Sequence, residues 1–202
     1  MKKWMMLLLV ASTLTGVLGG CTKLKETPVD ELDYEMVDGE IVITGYKGTD
    51  REIVIPEEIQ GRPVTQIGED AFSHYDLVSL HLPDSIQKIK EGAFYDCDCL
   101  EKIRLSDDLR VIEDHAFDDC DALQELSLPE SLEELGACVF DSCELLDEVR
   151  LPDNVSLDIL PPVDGETIVV VNHDSKVLEQ IVRYKQGTYC TYYQFFQYRI
   201  VD

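Results

Sequence analysis

Positive charge is scarce in this sequence: 17 Lys and Arg stand against 41 Asp and Glu in 202 residues, a formal net of −24. So acidic a chain is not a nucleic-acid binder, because phosphate backbones are gripped by Lys and Arg. Its folded surface is equally unsuited to lie on anionic lipid. Long apolar runs are missing as well. The best candidate, Trp4 to Gly20, is broken by Ser12, Thr13 and Thr15 and makes a poor permanent span. Patterns that carry catalysis are absent: there is no nucleophile–base pair, Gly-rich phosphate loop, His-Glu metal helix or isolated carboxylate pair, so an enzyme is not expected. His74, His81, His115 and His173 do not cluster, and Cys97-x-Cys99 lacks a second ligand pair at zinc-site spacing. Disorder is excluded too, since 45% of the residues are hydrophobic and regularly spaced.

The chain starts Met-Lys-Lys, continues with an apolar stretch and ends it in small residues, the three regions of a secretory signal. Leu18-Gly19-Gly20-Cys21 resembles a bacterial lipobox. That resemblance implies a signal peptide over 1–20, cleavage before Cys21 and diacylation of its sulfur, which holds the protein on the outside of a bacterial membrane. Residues 21–33 then read as a lipidated N-terminus and polar tether.

A repeat governs the next part of the chain. Leu82-Pro83, Leu105-Ser106, Leu128-Pro129 and Leu151-Pro152 recur every 23 residues. Leu80, Ile103, Leu126 and Val149 keep the same step, as do Ile86, Leu109, Leu132 and Val155. Ala71-Phe72, Ala93-Phe94, Ala116-Phe117 and Val139-Phe140 form another column. The unit reads Leu-x-x-Leu-x-Leu-Pro, a turn, then Ile-x-x-Ile-x-x-x-Ala-Phe-x-x-Cys. Its first part alternates as a strand and its second is compact, a turn or short 3₁₀ piece. One unit cannot bury its own leucines, so stacking is required, with one strand per unit in a parallel ladder. The expected fold is a leucine-rich repeat solenoid of about five units over 34–160, closed by a small C-terminal α/β cap over 161–202.

Ile41-Val-Ile-Thr-Gly-Tyr46, Ile53-Val-Ile-Pro56, Gly61-Arg-Pro-Val64 and Ile67-Gly68, followed by the Leu-Pro-(Asp/Glu)-Ser and Ala-Phe-x-x-Cys motifs, resemble BspA-type leucine-rich repeat proteins. The resemblance covers roughly 34–155 and implies a bacterial surface or secreted protein of a group implicated in adhesion. Two departures are visible. Val139 stands in the alanine column, and Tyr75 occupies the position where cysteine follows in later units.

Cys97, Cys120 and Cys143 share one column and are expected as a free, buried ladder, because pairing two rungs would strand the third. Cys99, Cys138 and Cys190 fall outside it. No cofactor is expected. Calcium held by stacked carboxylates is the one ion the turn acids leave open, although the Gly-Asp nonapeptides usual in calcium-binding solenoids are missing. Residues 26–164 hold 37 acidic and 9 basic side chains, a coat that suits a soluble monomer. Strand positions flanking the middle leucine should point outward, and there His81, Lys102, Arg104 and Arg150 are expected to gather most of the solenoid's positive charge on one strip. That strip is the candidate ligand-binding face, for an extracellular protein or polysaccharide, the bland alternative being that Arg104 and Arg150 pair with neighbouring glutamates. An accessory protein that binds a component of its own envelope is the second functional reading. In the C-terminal part Thr167 to Val171 reads as a strand, Ser175 as the N-cap of a helix to about Lys185, and the aromatic stretch Tyr189, Tyr192, Tyr193, Phe195, Phe196 and Tyr198 as cover for the solenoid's end.

Overall fold

The structure is a computed structural model that describes residues 25–157, 163, 167–186 and 197–202. The chain coils as a solenoid whose units stack through three surfaces, not one. The expected strand ladder consists of β3 (Glu52–Val54), β6 (Ser79–His81) and β8 (Lys102–Arg104), all parallel, and a second stretch of β11 (Glu148–Arg150), β13 (Ile168–Asn172) and β14 (Gln197–Val201). Across this face the central residues Ile53, Leu80 and Val149 turn inward while their neighbours face solvent.

A second parallel ladder, not expected from the sequence, runs along the other side. The antiparallel hairpin β1 (Leu32–Val37) and β2 (Glu40–Tyr46) starts it, and β5 (Arg62–Ile67), β7 (Lys88–Ile89), β9 (Val111–Ile112), β10 (Glu134–Leu135) and β12 (Ser156–Leu157) follow in order. A short β4 (Glu58–Ile59) pairs antiparallel with β5. Most of these strands are two residues long with one buried aliphatic, too short to show an alternating pattern.

The Ala-Phe stretch forms the third surface, and it is a turn with a regular bonding scheme. Asp70, Phe72 and His74 donate their N–H groups to the carbonyls of Glu91, Ala93 and Tyr95 one rung on, at 3.1, 2.8 and 2.8 Å. The residues between them, Ala71, Ser73 and Tyr75, donate back within their own turn to Gly68, Asp70 and Phe72. The following units repeat the scheme from Gly92, Phe94 and Asp96 and from His115, Phe117 and Asp119. This geometry requires positive φ at two points per unit: Asp70 and His74, Gly92 and Asp96, His115 and Asp119, Cys138 and Ser142. Only Gly92 takes that conformation without steric cost.

Inside the corner Phe72, Phe94, Phe117 and Phe140 are fully buried and stack with centroids 5.6, 5.0 and 5.8 Å apart, within 14° of parallel. Beside them the cysteine column is buried and unbridged. Each thiol donates to the carbonyl of the phenylalanine one rung earlier: Cys97 to Phe72, Cys120 to Phe94 and Cys143 to Phe117, at 3.0–3.2 Å. Tyr75, in the same column, sends its hydroxyl to the Tyr46 carbonyl instead. Burial pushes the Cys97 thiol up to about 12 and that of Cys120 further still, so both stay protonated and unreactive.

Single residues close two of the ladder ends. Thr27 donates its N–H to the Val54 carbonyl and accepts the Val54 N–H on Oγ1, completing the outer edge of β3. Gln180, on helix α1 (Lys176–Gln186), accepts the Leu157 N–H at 3.1 Å and donates to the Val155 carbonyl at 2.9 Å, completing β12. Ser175 Oγ caps α1 by accepting the Leu178 N–H at 3.1 Å, as expected. The tether boundary needs correction: Thr27 is buried and Leu32 lies in the core, so residues 27–33 belong to the solenoid. Of the aromatic tail, only Tyr198 lies within the described residues. The lipobox with Cys21 lies outside them, as does Cys190.

Candidate binding face

The strip exists as a surface. Register places Val54, His81 and Arg104 side by side on β3, β6 and β8, with Glu52, Ser79 and Lys102 in the neighbouring column. Beyond them Ser127 bridges to Arg150, and Arg150 aligns with Val170 and Arg199. His81, Lys102 and Arg104 are thus brought together, and Arg150 stands two units further along. The strip does not collect most of the solenoid's positive charge: Lys88 and Arg110 sit on or beside the opposite ladder, paired with Glu113 and Glu133.

Each member is held differently. Arg104 is anchored, its Nη1 donating to the Leu82 carbonyl at 3.0 Å and its Nη2 to Asp84 at 2.8 Å, with Asp107 at 3.9 Å. Beside it His81 is half-buried. Desolvation first, and the Arg104 charge second, hold its pKa below the ordinary imidazole value, so it is neutral at pH 7. Arg150 donates to the neutral amide oxygen of Asn172 at 2.7 Å, so it keeps its full charge, and Asn172 in turn donates to Asp153. Lys102 is exposed and forms no ion pair among the described residues. The expected pairing with glutamates therefore takes another form, aspartates for Arg104 and an asparagine for Arg150.

One residue of this face was not anticipated. Arg199 on β14 forms a two-pronged ion pair with Glu148, at 2.6 and 2.7 Å, on the same surface as Arg150. It follows the repeat by a whole capping segment, so no 23-residue column pointed to it. Three open depressions mark the face. One of about 330 Å³ is lined by Val54, His81, Asp84 and Arg104. Another of about 390 Å³ lies between Lys102, Ile103, Gln124 and Glu125, and one of about 470 Å³ between Ser127, Glu148, Arg150 and Arg199.

The corner presents the opposite chemistry. Burial raises the carboxyls of Asp98, Asp118 and Asp121, and neighbouring acids raise them further, Asp141 and Asp119 acting on Asp118. His115, 2.8 Å from Asp118, works against that shift. Among the described residues, no three His, Cys, Asp or Glu side chains are arranged to hold a metal ion. No helix of the described residues is long and apolar enough to cross a membrane.

Comparison with known proteins agrees with this architecture. Residues 51–158 match the BspA type leucine-rich repeat region in six copies. A leucine-rich repeat protein of T. pallidum shares 34% identity and superposes with a TM-score of 0.67, covering 73% of this chain and 71% of that one. One from Bacteroides capillosus shares 25% identity at a TM-score of 0.51, over 72% of this chain and 96% of its own. A third, from Bacteroides ovatus, is 20% identical with a TM-score of 0.58, and this chain spans only 49% of its length. No protein of curated function matches the chain in sequence. With its repeat columns, its parallel ladders and a relative one-third identical over most of both chains, the chain belongs to the BspA-type leucine-rich repeat family.

Proposed function

We propose that the protein is a bacterial cell-surface module, anchored by lipid on Cys21, whose strip face binds a protein or polysaccharide. One observation carries the reading: in a molecule of net charge −24, Lys102 and Arg150 on one face of the solenoid keep positive charge that no carboxylate of the described residues pairs with. Solenoids commonly bind through extended surfaces of this kind. Electrostatic pairing there would set partner choice and association rate more than affinity.

A specific observation favours a partner within the producing cell's own envelope. Thr27 is docked on β3, so only residues 21–26 separate a lipidated Cys21 from the solenoid. Six extended residues reach about 20 Å. So short an arm keeps the face close to its own membrane.

The test is capture by the purified full chain, beside an Arg104→Glu, Arg150→Glu variant, from host matrix proteins and from the cell's own envelope extract. Capture from the envelope extract that is lost in the variant is expected. Capture of host components alone would replace the envelope partner by a host one, and equal capture by both proteins would remove the strip from the mechanism. In the same cells, Cys21→Ser should move the protein out of the detergent phase.

A further inference from the structure

The strip ladder is interrupted at one rung, and the interruption is confined to that face. β8 pairs with β6 on one side, but no pairing joins it to residues 125–127, the equivalent segment of the next unit. That segment bonds forward instead, through the bridge from Ser127 to Arg150. Elsewhere the same two units remain in register. Val111 and Ile112 pair with Glu134 and Leu135, and Phe117 donates to the Val139 carbonyl at 3.0 Å. The units therefore fan apart only at the strip.

The opening exposes main chain and core together. Lys102 donates its N–H back to Val78, and the Arg104 carbonyl accepts from Leu82. Strand alternation then turns the N–H and carbonyl of Ile103, with the Leu105 N–H, toward the opening. Ile103 is half-buried, whereas its equivalents Ile53, Leu80 and Val149 are 0–2% exposed. Across the gap Leu126 is 8% exposed and Leu128 is only half-buried. Segment 125–127 is thus unbonded to β8, although Leu126 stays buried in the core.

We propose that this slot accepts an extended segment of a partner polypeptide, which adds to the free edge of β8 as a strand. The occupant is assigned by chemistry on the page. The edge offers donors and acceptors at the spacing of a peptide backbone, which a sugar chain does not match. Ile103 calls for an apolar residue pointing inward, and Lys102, without an ion pair among the described residues, calls for an acidic one in the outward position beside it. Segment 125–127, released from β8 already, gives way to make room. The inference rests on the reading of the strip as a binding face and narrows its partner to a polypeptide.

The probe is a synthetic peptide of residues 76–84, which carries the strand β6 that β8 already accepts on its other edge. Amide hydrogen exchange of the full chain is followed with the peptide, and with the same peptide N-methylated at Ser79 and His81. The unmodified peptide is expected to slow exchange at Ile103 and Leu105 by about tenfold or more. The methylated peptide should not. No protection, protection elsewhere, or equal protection by the methylated peptide overturns the slot. If protection is absent while the charge variant still loses capture, the binding face stands and the strand-accepting slot falls.

Discussion

The two parallel ladders are built by the same repeat, yet one is continuous and the other is not. Along β2 to β12 every unit is bonded to the next, and the phenylalanine stack and cysteine thiols tie the adjoining corner in the same register. On the strip, pairing stops after β8 and resumes only through Ser127 and Arg150. The stacking force thus resides in the corner and in the short-stranded ladder. The strip is left freer to vary, as the proposed binding role requires.

Removing the firm side should cost most. Phe117→Ala takes the ring from the middle of the stack, where it packs 5.0 Å from Phe94 and 5.8 Å from Phe140. A loss of about 3–5 kcal/mol is expected in urea unfolding. An equal loss from Leu126→Ala, on the loosened rung, would erase the contrast between the two sides.

A smaller effect is expected at the end of the continuous ladder. Gln180→Ala leaves the Leu157 N–H and Val155 carbonyl without their partner. Both sites are partly buried, so about 1–2 kcal/mol should be lost by the same measurement. Gln180→Glu, which keeps one acceptor and loses the donor, should fall between wild type and alanine.

The smallest expected effect concerns charge. Asp98, Asp118 and Asp121 have folded pKa values above their ordinary 3.8, so the native state holds more protons than the unfolded chain as pH falls toward that value. Their contribution is fully present below 3.8 and is lost as pH rises through the folded values. His81 acts in the other direction, since its folded pKa lies below 6.5 and the unfolded chain takes up that proton first. With three carboxyls against one imidazole, melting temperature should rise modestly on acidification from neutrality into the carboxylate range. Asp118→Asn should flatten that rise and His81→Gln should steepen it. A melting temperature that falls monotonically would show that the raised corner carboxyls do not govern the acid response.

The core was legible because it repeats. The Leu, Phe and Cys columns appear in the sequence as they stack in space, and the outward position of His81, Lys102, Arg104 and Arg150 follows from alternation about Leu80, Ile103 and Val149. The second ladder was hidden by brevity, since Lys88-Ile89 or Glu134-Leu135 has no period to detect. Positive φ was masked because Asp, His, Cys and Ser occupy most of those positions instead of glycine. The break after β8 left no trace either, as Leu123, Leu126 and Leu128 keep the repeat faithfully. Arg199 and Gln180 act on the solenoid from outside its period, where pattern reading has no purchase.

Thr27, through its main-chain N–H and its Oγ1, and Gln180, through its side-chain amide, imitate a neighbouring strand, and neither depends on how many units lie between them. The solenoid can therefore lengthen or shorten by whole 23-residue blocks while its terminal pieces stay as they are. In genetic terms, unequal crossing-over within the repeated stretch would yield proteins of different length with both ends already finished. The reach of the surface can evolve in steps without a new way of ending the fold.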